Sequence, residues 1–299
     1  MQELKAAVIG HPIGHTMSPF IHQRLFALEG ISHSYQVLDV PDLPAVLPEL
    51  RQLNCFNITI PHKQTILPYL DWMEENARRF GSVNTVQVDG GKFRGFTTDG
   101  PGCCKALENH GVPLEGELLV LGNGGAARAI AFEAVGRKKS SHLTVACRDE
   151  SLPKAQALVQ ELLDYAGDLG DRQFTAVAVT YSALEQGAAQ YDLLLNATSV
   201  GMYPKTGKSP VSGEVVSRCG AVFDAVYNPA QTELLRLAEN AGATVIGGME
   251  MLVYQAVAAH ELWFGATFRQ EDLALLCRDA QEELGRLFPG NDAEKGGSL

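Results

Sequence analysis

Short apolar runs alternate with helix-like patterns along most of the chain. Near its start, the runs at Ala6–Ile9, Ser34–Val40 and Phe56–Ile60 predict strands. The segments Pro19–Glu29 and Leu43–Leu53 have the spacing of helices. This β-α-β-α-β order predicts a mostly parallel sheet with helices on its faces.

The chain continues with a predicted hairpin and a second alternating block. Val83–Phe96 contains two short strand-like runs around the turn signal Asp89-Gly90-Gly91. The second block includes a helix that ends near Val135 and another over Leu152–Leu163. Its predicted strands are Leu118–Leu121, Leu143–Cys147, Thr175–Val179, Leu193–Asn196, Val222–Asp224 and Thr244–Ile246. The last long segment, Met249–Phe288, is helical in pattern.

The two blocks predict a two-domain α/β fold, which the length of 299 residues also favours. The first domain covers residues 1–100 and is completed by helices over residues 248–288. The second covers residues 101–247 and has the pattern of a Rossmann-type dinucleotide-binding domain. The polar, Gly-rich tail at residues 289–299 is expected to be disordered.

Charge and cysteine content exclude several classes of function. The 24 Lys and Arg residues against 35 Asp and Glu residues give a net charge of -11, so nucleic acid is not an expected partner. Neither a secretory signal nor a transmembrane-length apolar run is visible, so no membrane partner is expected. The six cysteines form no C-x-x-C pair, which argues against a metal site and a disulfide framework. Free thiols favour a cytoplasmic location, and monomer and homodimer both stay open.

A glycine-rich turn joins the first strand of the second block to its helix. The sequence Gly122-Asn123-Gly124-Gly125-Ala126-Ala127 fits the dinucleotide-binding fingerprint in its required strand–helix context. In that fingerprint, Gly122 allows the tight turn, Gly124 lets the backbone approach a pyrophosphate, and Ala127 permits close helix–strand packing. The helix N-terminus would offer free N–H groups to the phosphates.

The end of the next strand gives conflicting signals about the nucleotide. Arg148 could stack on adenine or pair with a 2′-phosphate, which favours NADP. Asp149 could bind the ribose hydroxyls and repel a 2′-phosphate, which favours NAD. Lys154 adds positive charge nearby. The residues therefore leave NADP and NAD both open.

Polar residues cluster at predicted strand ends of the first domain. Thr16 and Ser18 precede a helix, with Ser18 in a cap-like position, and their hydroxyls could also hold a carboxylate. Lys63 follows a buried strand, at the end where ligands bind in parallel sheets. Asn84 and Asp99 flank the hairpin. A Lys–Asp pair shielded from water can exchange a proton with an alcohol or ketone oxygen, although each residue taken singly also fits a structural role.

Eight motifs resemble those of the shikimate dehydrogenase family, including its quinate/shikimate dehydrogenase branch, and they occur in the order found in that family. The resemblance runs from about Val8 to Trp263. The motifs are His15–Pro19, Asn57–Lys63, Gly81–Thr85, Thr98–Gly100, Gly122–Ala127, Asn196–Met202, Tyr227–Pro229 and Met251–Gln255. The family reaction is reversible hydride transfer between NADPH or NADH and a ring carboxylate such as 3-dehydroshikimate, with the active site in the interdomain cleft.

The resemblance also implies a role for each matching residue. Lys63 and Asp99 would form the catalytic acid/base pair. Substrate hydroxyls and the carboxylate would be bound by Thr16, Ser18, Thr59, Asn84, Tyr227 and Gln255. The cofactor would be contacted by Gly122, Asn123, Gly124, Gly125, Ala126, Ala127, Arg148, Asp149, Lys154, Thr198, Val200, Met202 and Gly248. No metal ion is implied.

This chain departs from the family pattern at several positions. Thr16 stands where the family usually has Ser, Thr97 where it has Asn, and Glu250 where it has a small residue near the cofactor. The Asn-Arg-Thr that reads the NADP phosphate is replaced by Arg148-Asp149-Glu150, which looks more like the branch that accepts NAD. Quinate, an aminoshikimate or another ring acid is therefore an alternative substrate. A sensor that binds the ligand without turnover is the alternative outside enzymes, and the Lys63–Asp99 pair argues against it.

Overall fold

A computed structural model describes residues 3–14 and 16–289 of the chain. The chain divides into two compact units. The first consists of Met1–Gly102 and Leu252–Ala280, and the second of Cys103–Met251 and Gln281–Leu299. Within the described ranges, no helix is both long enough and apolar enough to cross a membrane. His15 and the predicted tail from residue 290 onwards lie outside the described residues.

The first unit contains a six-stranded sheet in the order β2-β1-β3-β5-β6-β4. Its strands are β1 (Leu4–Gly10), β2 (His33–Asp39), β3 (Cys55–Ile58), β4 (Trp72–Met73), β5 (Thr85–Asp89) and β6 (Lys92–Phe96). Only β5 pairs antiparallel to its neighbours, β3 and β6. Gly90 and Gly91 join β5 to β6 with φ values of 56° and 76°, which a tight type I′ hairpin requires. The predicted hairpin is confirmed.

Helices cover this sheet and carry part of the site described below. They are α1 (Ser18–Glu29), α2 (Leu43–Leu50), α3 (His62–Thr65), α4 (Glu75–Phe80), the start of α5 (Asp99–Asn109), most of α11 (Gly248–Phe264) and most of α12 (Gln270–Leu287). Phe56 and Phe93 are fully buried under α2 residues and pack edge to face, 5.4 Å apart. The apolar periodicity that predicts these helices therefore marks the face that each one buries.

The second unit contains six parallel strands in the order β12-β11-β10-β7-β8-β9. These strands are β7 (Gly116–Leu121), β8 (Ser140–Cys147), β9 (Thr175–Thr180), β10 (Tyr191–Asn196), β11 (Cys219–Asp224) and β12 (Thr244–Ile246). The connecting helices are α6 (Gly125–Gly136), α7 (Leu152–Asp168), α8 (Tyr181–Gln186), α9 (Gly213–Val216) and α10 (Glu233–Asn240). The strand order reverses between β7 and β10, which is the switch point where such sheets bind ligands. The predicted α/β class with two mostly parallel sheets is confirmed.

The structure contains elements that the apolar pattern did not predict. They are the strand β4 and the helices α3, α4, α5, α8, α9 and α10. Strand β4 has two residues, which are too few to carry an alternating pattern. The helical end segment is two helices, since Gly265 takes a left-handed φ of 65° directly after α11. Helix α2 ends at Leu50 rather than Leu53, and α7 extends beyond Leu163 to Asp168.

A buried histidine pair joins α1 to α11 inside the first unit. His22 Nδ1 lies 2.9 Å from His260 Nε2, and His260 Nδ1 lies 2.5 Å from the Glu29 carboxylate. The His22 ring stacks on Tyr35 at 4.6 Å. Burial, and then the nearby His260 and His33, lower the pKa of His22 well below 6.5. Folding therefore keeps His22 neutral at a pH where the unfolded chain binds a proton.

This pKa shift predicts acid sensitivity. The stability that neutral His22 contributes is fully present above pH 6.5 and is lost as the pH falls below it, by at most about 1.4 kcal/mol per pH unit. His22→Gln should flatten the dependence of the unfolding free energy on pH below 6.5, measured by urea titration. Gln23→Ala, at the exposed position next to His22 on α1, removes no titrating group and should keep the wild-type slope. Equal slopes in the wild type and His22→Gln would contradict this account.

Candidate active site

An ion pair between Lys63 and Asp99 forms the centre of the polar cluster in the first unit. Lys63 lies on α3, just beyond the end of β3, and its backbone carbonyl accepts a hydrogen bond from Val83 N. Asp99 begins α5, three residues after β6. Lys63 Nζ donates to Asp99 Oδ2 at 2.6 Å, with 15% of the Lys63 side chain and 1% of the Asp99 side chain exposed. The sequence analysis proposed this pair, and the structure brings its members together.

Asn84 fixes the second oxygen of the Asp99 carboxylate. Its amide nitrogen lies 2.9 Å from Asp99 Oδ1, 2.9 Å from Thr98 Oγ1 and 3.2 Å from Gln255 Oε1. In return, Asn84 Oδ1 accepts from Thr98 N at 2.8 Å. The resemblance implies that Asn84 and Gln255 contact ring hydroxyls. In the structure Asn84 also holds Asp99 in place, and Gln255 contacts the Asn84 amide.

The other predicted substrate contacts lie on different elements. Thr16 Oγ1 accepts from Ser18 N at 3.1 Å and lies 3.1 Å from Ser18 Oγ, so the two hydroxyls adjoin. Helix α1 begins at Ser18 itself, and its N-cap residue Met17 makes no side-chain capping bond. The prediction of a cap-like Ser18 is therefore wrong, because the Thr16 hydroxyl receives the first free amide. Thr59 is half-buried just after β3, and Tyr227 is half-buried after β11 in the second unit.

Two positions that depart from the family pattern have defined surroundings. Thr97 is buried, and its hydroxyl has no hydrogen-bond partner among the described residues. Glu250 lies in the first turn of α11 and accepts from Asn109 Nδ2 at 2.9 Å, while its other oxygen lies 2.9 Å from His110 Nε2. The Glu250 carboxylate therefore contacts the end of α5. This contact gives the residue a structural partner that the sequence pattern did not indicate.

The glycine-rich turn has a shape that fits a dinucleotide. Gly122 has a φ of 100°, and a Cβ atom there would lie 3.0 Å from Thr198 Cγ2. Gly124 is the N-cap residue of α6, and a Cβ atom there would meet no heavy atom within 4 Å. Ala127 is fully buried. The backbone is thus open at Gly124 and tightly packed at Gly122 and Ala127, as pyrophosphate binding at a helix N-terminus requires.

Charged residues of both signs follow β8, where an adenosine ribose would bind in such a fold. Arg148, Asp149, Glu150 and Lys154 are all exposed. Arg148 Nε lies 3.2 Å from Glu150 Oε1. Asn123 of the glycine turn donates to the Ser151 carbonyl at 3.1 Å, which ties the turn to the same region. The structure places all these predicted residues at one end of the sheet without separating the NADP and NAD interpretations.

The loop after β10 contains Thr198, Val200 and Met202, and Thr198 packs beside Gly122. Gly248 begins α11, and a Cβ atom there would lie 2.9 Å from the Asp224 carbonyl oxygen and would overlap the Ala225 carbonyl. Within the described part of the chain, no group of three or more His, Cys, Asp or Glu side chains is suited to holding a metal ion.

The sequence analysis did not assign Asp224 to the site. Asp224 and Asn196 end neighbouring strands of the second unit, are fully buried, and hydrogen-bond to each other at 2.8 Å. The available signal was a polar residue at the end of each of two apolar strand runs.

Comparisons with known proteins agree with this arrangement. Residues 8–86 match the family described as the shikimate dehydrogenase substrate binding domain. A Methanothermobacter thermautotrophicus protein named shikimate dehydrogenase (NADP(+)) is 38% identical over 263 residues, which cover 86% of this chain and 90% of that protein.

Solved structures give the same result. Shikimate 5-dehydrogenase from Thermus thermophilus, in complex with NADP(H) and shikimate, is 35% identical with a TM-score of 0.78, covering 93% of this chain and 99% of that one. Quinate dehydrogenase from Corynebacterium glutamicum, in complex with NAD, is 28% identical with a TM-score of 0.78, covering 92% of this chain and 98% of that one. The chain belongs to the shikimate dehydrogenase family.

Proposed function

We propose that the protein catalyses reversible hydride transfer between a nicotinamide cofactor and the 3-dehydroshikimate/shikimate pair. The observation that carries this proposal is the Lys63–Asp99 pair, 2.6 Å apart, with a carboxylate that is almost fully removed from water. A lysine held in this way is a proton donor and acceptor aimed at one point. Membership of the shikimate dehydrogenase family supports the choice of substrate.

The residues of the first unit supply the proton. Lys63 donates a proton to the substrate oxygen as the carbonyl becomes an alkoxide, and it takes the proton back in the oxidative direction. Asp99 accepts a hydrogen bond from Lys63 Nζ and fixes its position, and Asn84 in turn fixes Asp99. Bound nicotinamide supplies or accepts the hydride, so the protein contributes orientation and proton transfer.

Binding roles follow for the other predicted residues. The adjoining hydroxyls of Thr16 and Ser18 hold the ring carboxylate with neutral donors. Thr59, Asn84 and Gln255 bind ring hydroxyls, and Tyr227 lines the site. The turn from Gly122 to Ala127 binds the pyrophosphate, while Thr198, Val200, Met202 and Gly248 lie at the nicotinamide end. Arg148, Asp149 and Lys154 contact the adenosine ribose.

The nucleotide preference and the ring acid are tested together. Purified protein is given shikimate or quinate, each with NAD⁺ or NADP⁺, and the reduced nicotinamide is followed by its near-ultraviolet absorbance. Turnover with shikimate and NADP⁺ supports the biosynthetic reaction, with Arg148 and Lys154 facing the 2′-phosphate. A preference for NAD⁺ and quinate supports the alternative that the quinate dehydrogenase relative represents.

A rate assay without turnover, together with a binding measurement, would overturn the proposal. Saturable binding of shikimate with no turnover under either nucleotide would favour a ligand sensor. Turnover on an amino-substituted ring acid alone would keep the Lys63–Asp99 chemistry and change the substrate.

We further propose a reducing, cytoplasmic setting for this enzyme, as a monomer or homodimer. Six cysteines carry free thiols, and five of them are buried. Burial raises the pKa of Cys104 and of Cys219 to about 12, which keeps both as unreactive thiols.

A further inference from the structure

Asp224 is a fully buried carboxylate at the carboxyl end of β11. Three neutral groups donate to it: Asn196 Nδ2 at 2.8 Å, Val226 N at 3.0 Å and Thr232 Oγ1 at 2.6 Å. Burial is the main influence on Asp224 and raises its pKa to about 6, while these three hydrogen bonds partly oppose the rise. Because burial disfavours the ionised form, these three donors are what hold the carboxylate at the end of β11.

The hydrogen bonds continue from Asp224 into the loop after β10. Asn196 Oδ1 accepts from Thr198 N at 3.0 Å and from Thr198 Oγ1 at 2.8 Å. Thr198 Oγ1 then accepts from Val200 N at 3.2 Å. The Asn196 carbonyl also accepts from Ala225 N at 2.9 Å, so the two strand ends are tied together. Asp224 thus fixes the amide of Asn196, and Asn196 fixes the conformation of residues 197–200.

This loop reaches the glycine-rich turn. A Cβ atom on Gly122 would lie 3.0 Å from the Thr198 methyl carbon and 3.5 Å from the Ala197 carbonyl oxygen, so the loop packs closely against the turn. Gly122 follows β7 and Thr198 follows β10, so both flank the point where the strand order of the sheet reverses. A change in the loop after β10 would therefore displace a wall of the nucleotide site.

We propose that Asp224 is a positioning residue for the nicotinamide nucleotide, which acts through Asn196 to hold residues 197–200 in the binding conformation. This inference rests on the proposed function for the identity of the nucleotide. It concerns binding alone, because Asp224 is fully buried and its hydrogen bonds end on Asn196, Val226 and Thr232. The hydrogen bond from Thr232 connects Asp224 instead to the first turn of α10, where Thr232 Oγ1 accepts from Leu235 N.

The test compares loss of the hydrogen bond on the Asn196 side of the carboxylate with loss of the one on the Thr232 side. Asp224→Ala removes the oxygen that accepts from the Asn196 amide, and it should raise the Kd for NADPH and NADH about tenfold, equivalent to roughly 1.4 kcal/mol. Binding is measured at pH 8 by nucleotide fluorescence. The kcat at saturating nucleotide should change less than about threefold, since the lost interaction serves binding. Thr232→Val removes the donor to the other oxygen of the same carboxylate and should leave both Kd values unchanged.

A conservative substitution separates positioning from general damage. Asp224→Asn can keep its oxygen towards the Asn196 amide and Val226 N while its NH2 donates to the Thr232 hydroxyl, so it should keep most of the nucleotide affinity. Nucleotide affinity within about twofold of wild type in folded Asp224→Ala, or an equal loss in Thr232→Val, would overturn the inference. Weakened nucleotide binding in Asp224→Ala, in a protein that turns over no ring acid, would support this inference while refuting the proposed function.

Discussion

Replacing Lys63 by alanine is expected to lower kcat for shikimate oxidation by about 10²–10⁴-fold, the usual contribution of a positioned acid/base. The substitution removes the lysine ammonium group that donates to the Asp99 carboxylate and is the proposed proton donor. The Kd for shikimate should change much less, because Thr16, Ser18 and Gln255 stay in place. Stopped-flow and steady-state absorbance of reduced nicotinamide give kcat, and calorimetry gives the Kd.

The control for this substitution is another lysine of the same unit. Lys92 is exposed on β6, and Lys92→Ala should leave kcat and stability unchanged. Lys63→Ala leaves the buried Asp99 carboxylate without its cation, so the free energy of unfolding of the variant should fall by about 3–5 kcal/mol. A folded Lys63→Ala protein with near-normal turnover would remove Lys63 from the mechanism.

Replacing Gly124 by valine is expected to weaken nucleotide binding strongly while leaving the fold intact. The backbone of Gly124, with φ −81° and ψ −172°, is extended and accessible to any residue, and a Cβ atom would meet no protein atom within 4 Å. The valine side chain would instead occupy the space through which the backbone approaches the pyrophosphate. We expect kcat/KM for NADP⁺ to fall by about 10²-fold. The melting temperature should stay close to that of wild type.

Gly122→Val provides the contrasting result. Gly122 needs its φ of 100°, and its Cβ would lie 3.0 Å from Thr198, so the variant should lose stability as well as affinity. Gly167→Val, at an exposed and uncrowded position of α7, controls for the added side chain. Unchanged nucleotide affinity in Gly124→Val would exclude the glycine turn as the pyrophosphate site.

Local sequence signals were sufficient for much of the fold. The apolar run before Gly122 predicts β7 and, with the glycine-rich turn, the start of α6. The Gly90-Gly91 turn predicts the hairpin of β5 and β6. Both signals lie within a few neighbouring residues. The same signals do not fix the ends of the helices, as α2 and α7 show. The end of α11 depends on the left-handed Gly265, which no apolar periodicity marks.

Interactions between distant residues could not be predicted from spacing. Asn84 and Gln255 are separated by 171 positions, and only the folded first unit shows that Gln255 contacts the amide that donates to the Asp99 carboxylate. Asp224 likewise gains its role from Asn196 on a neighbouring strand. Glu250 departs from the family pattern, and its contacts with Asn109 and His110 form only in the folded chain. In each case the contact forms between residues that are far apart along the chain and meet only when strands and helices pack.

The most direct test of the central claim is a double-mutant cycle on kcat for shikimate oxidation with NADP⁺. The cycle uses the wild type, Lys63→Ala, Asp99→Asn and the double variant. If Lys63 and Asp99 act as one proton-transferring pair, the double variant should be about as slow as the slower single variant. Losses that multiply in the double variant would show that the two residues act independently, and the account of the site would be wrong.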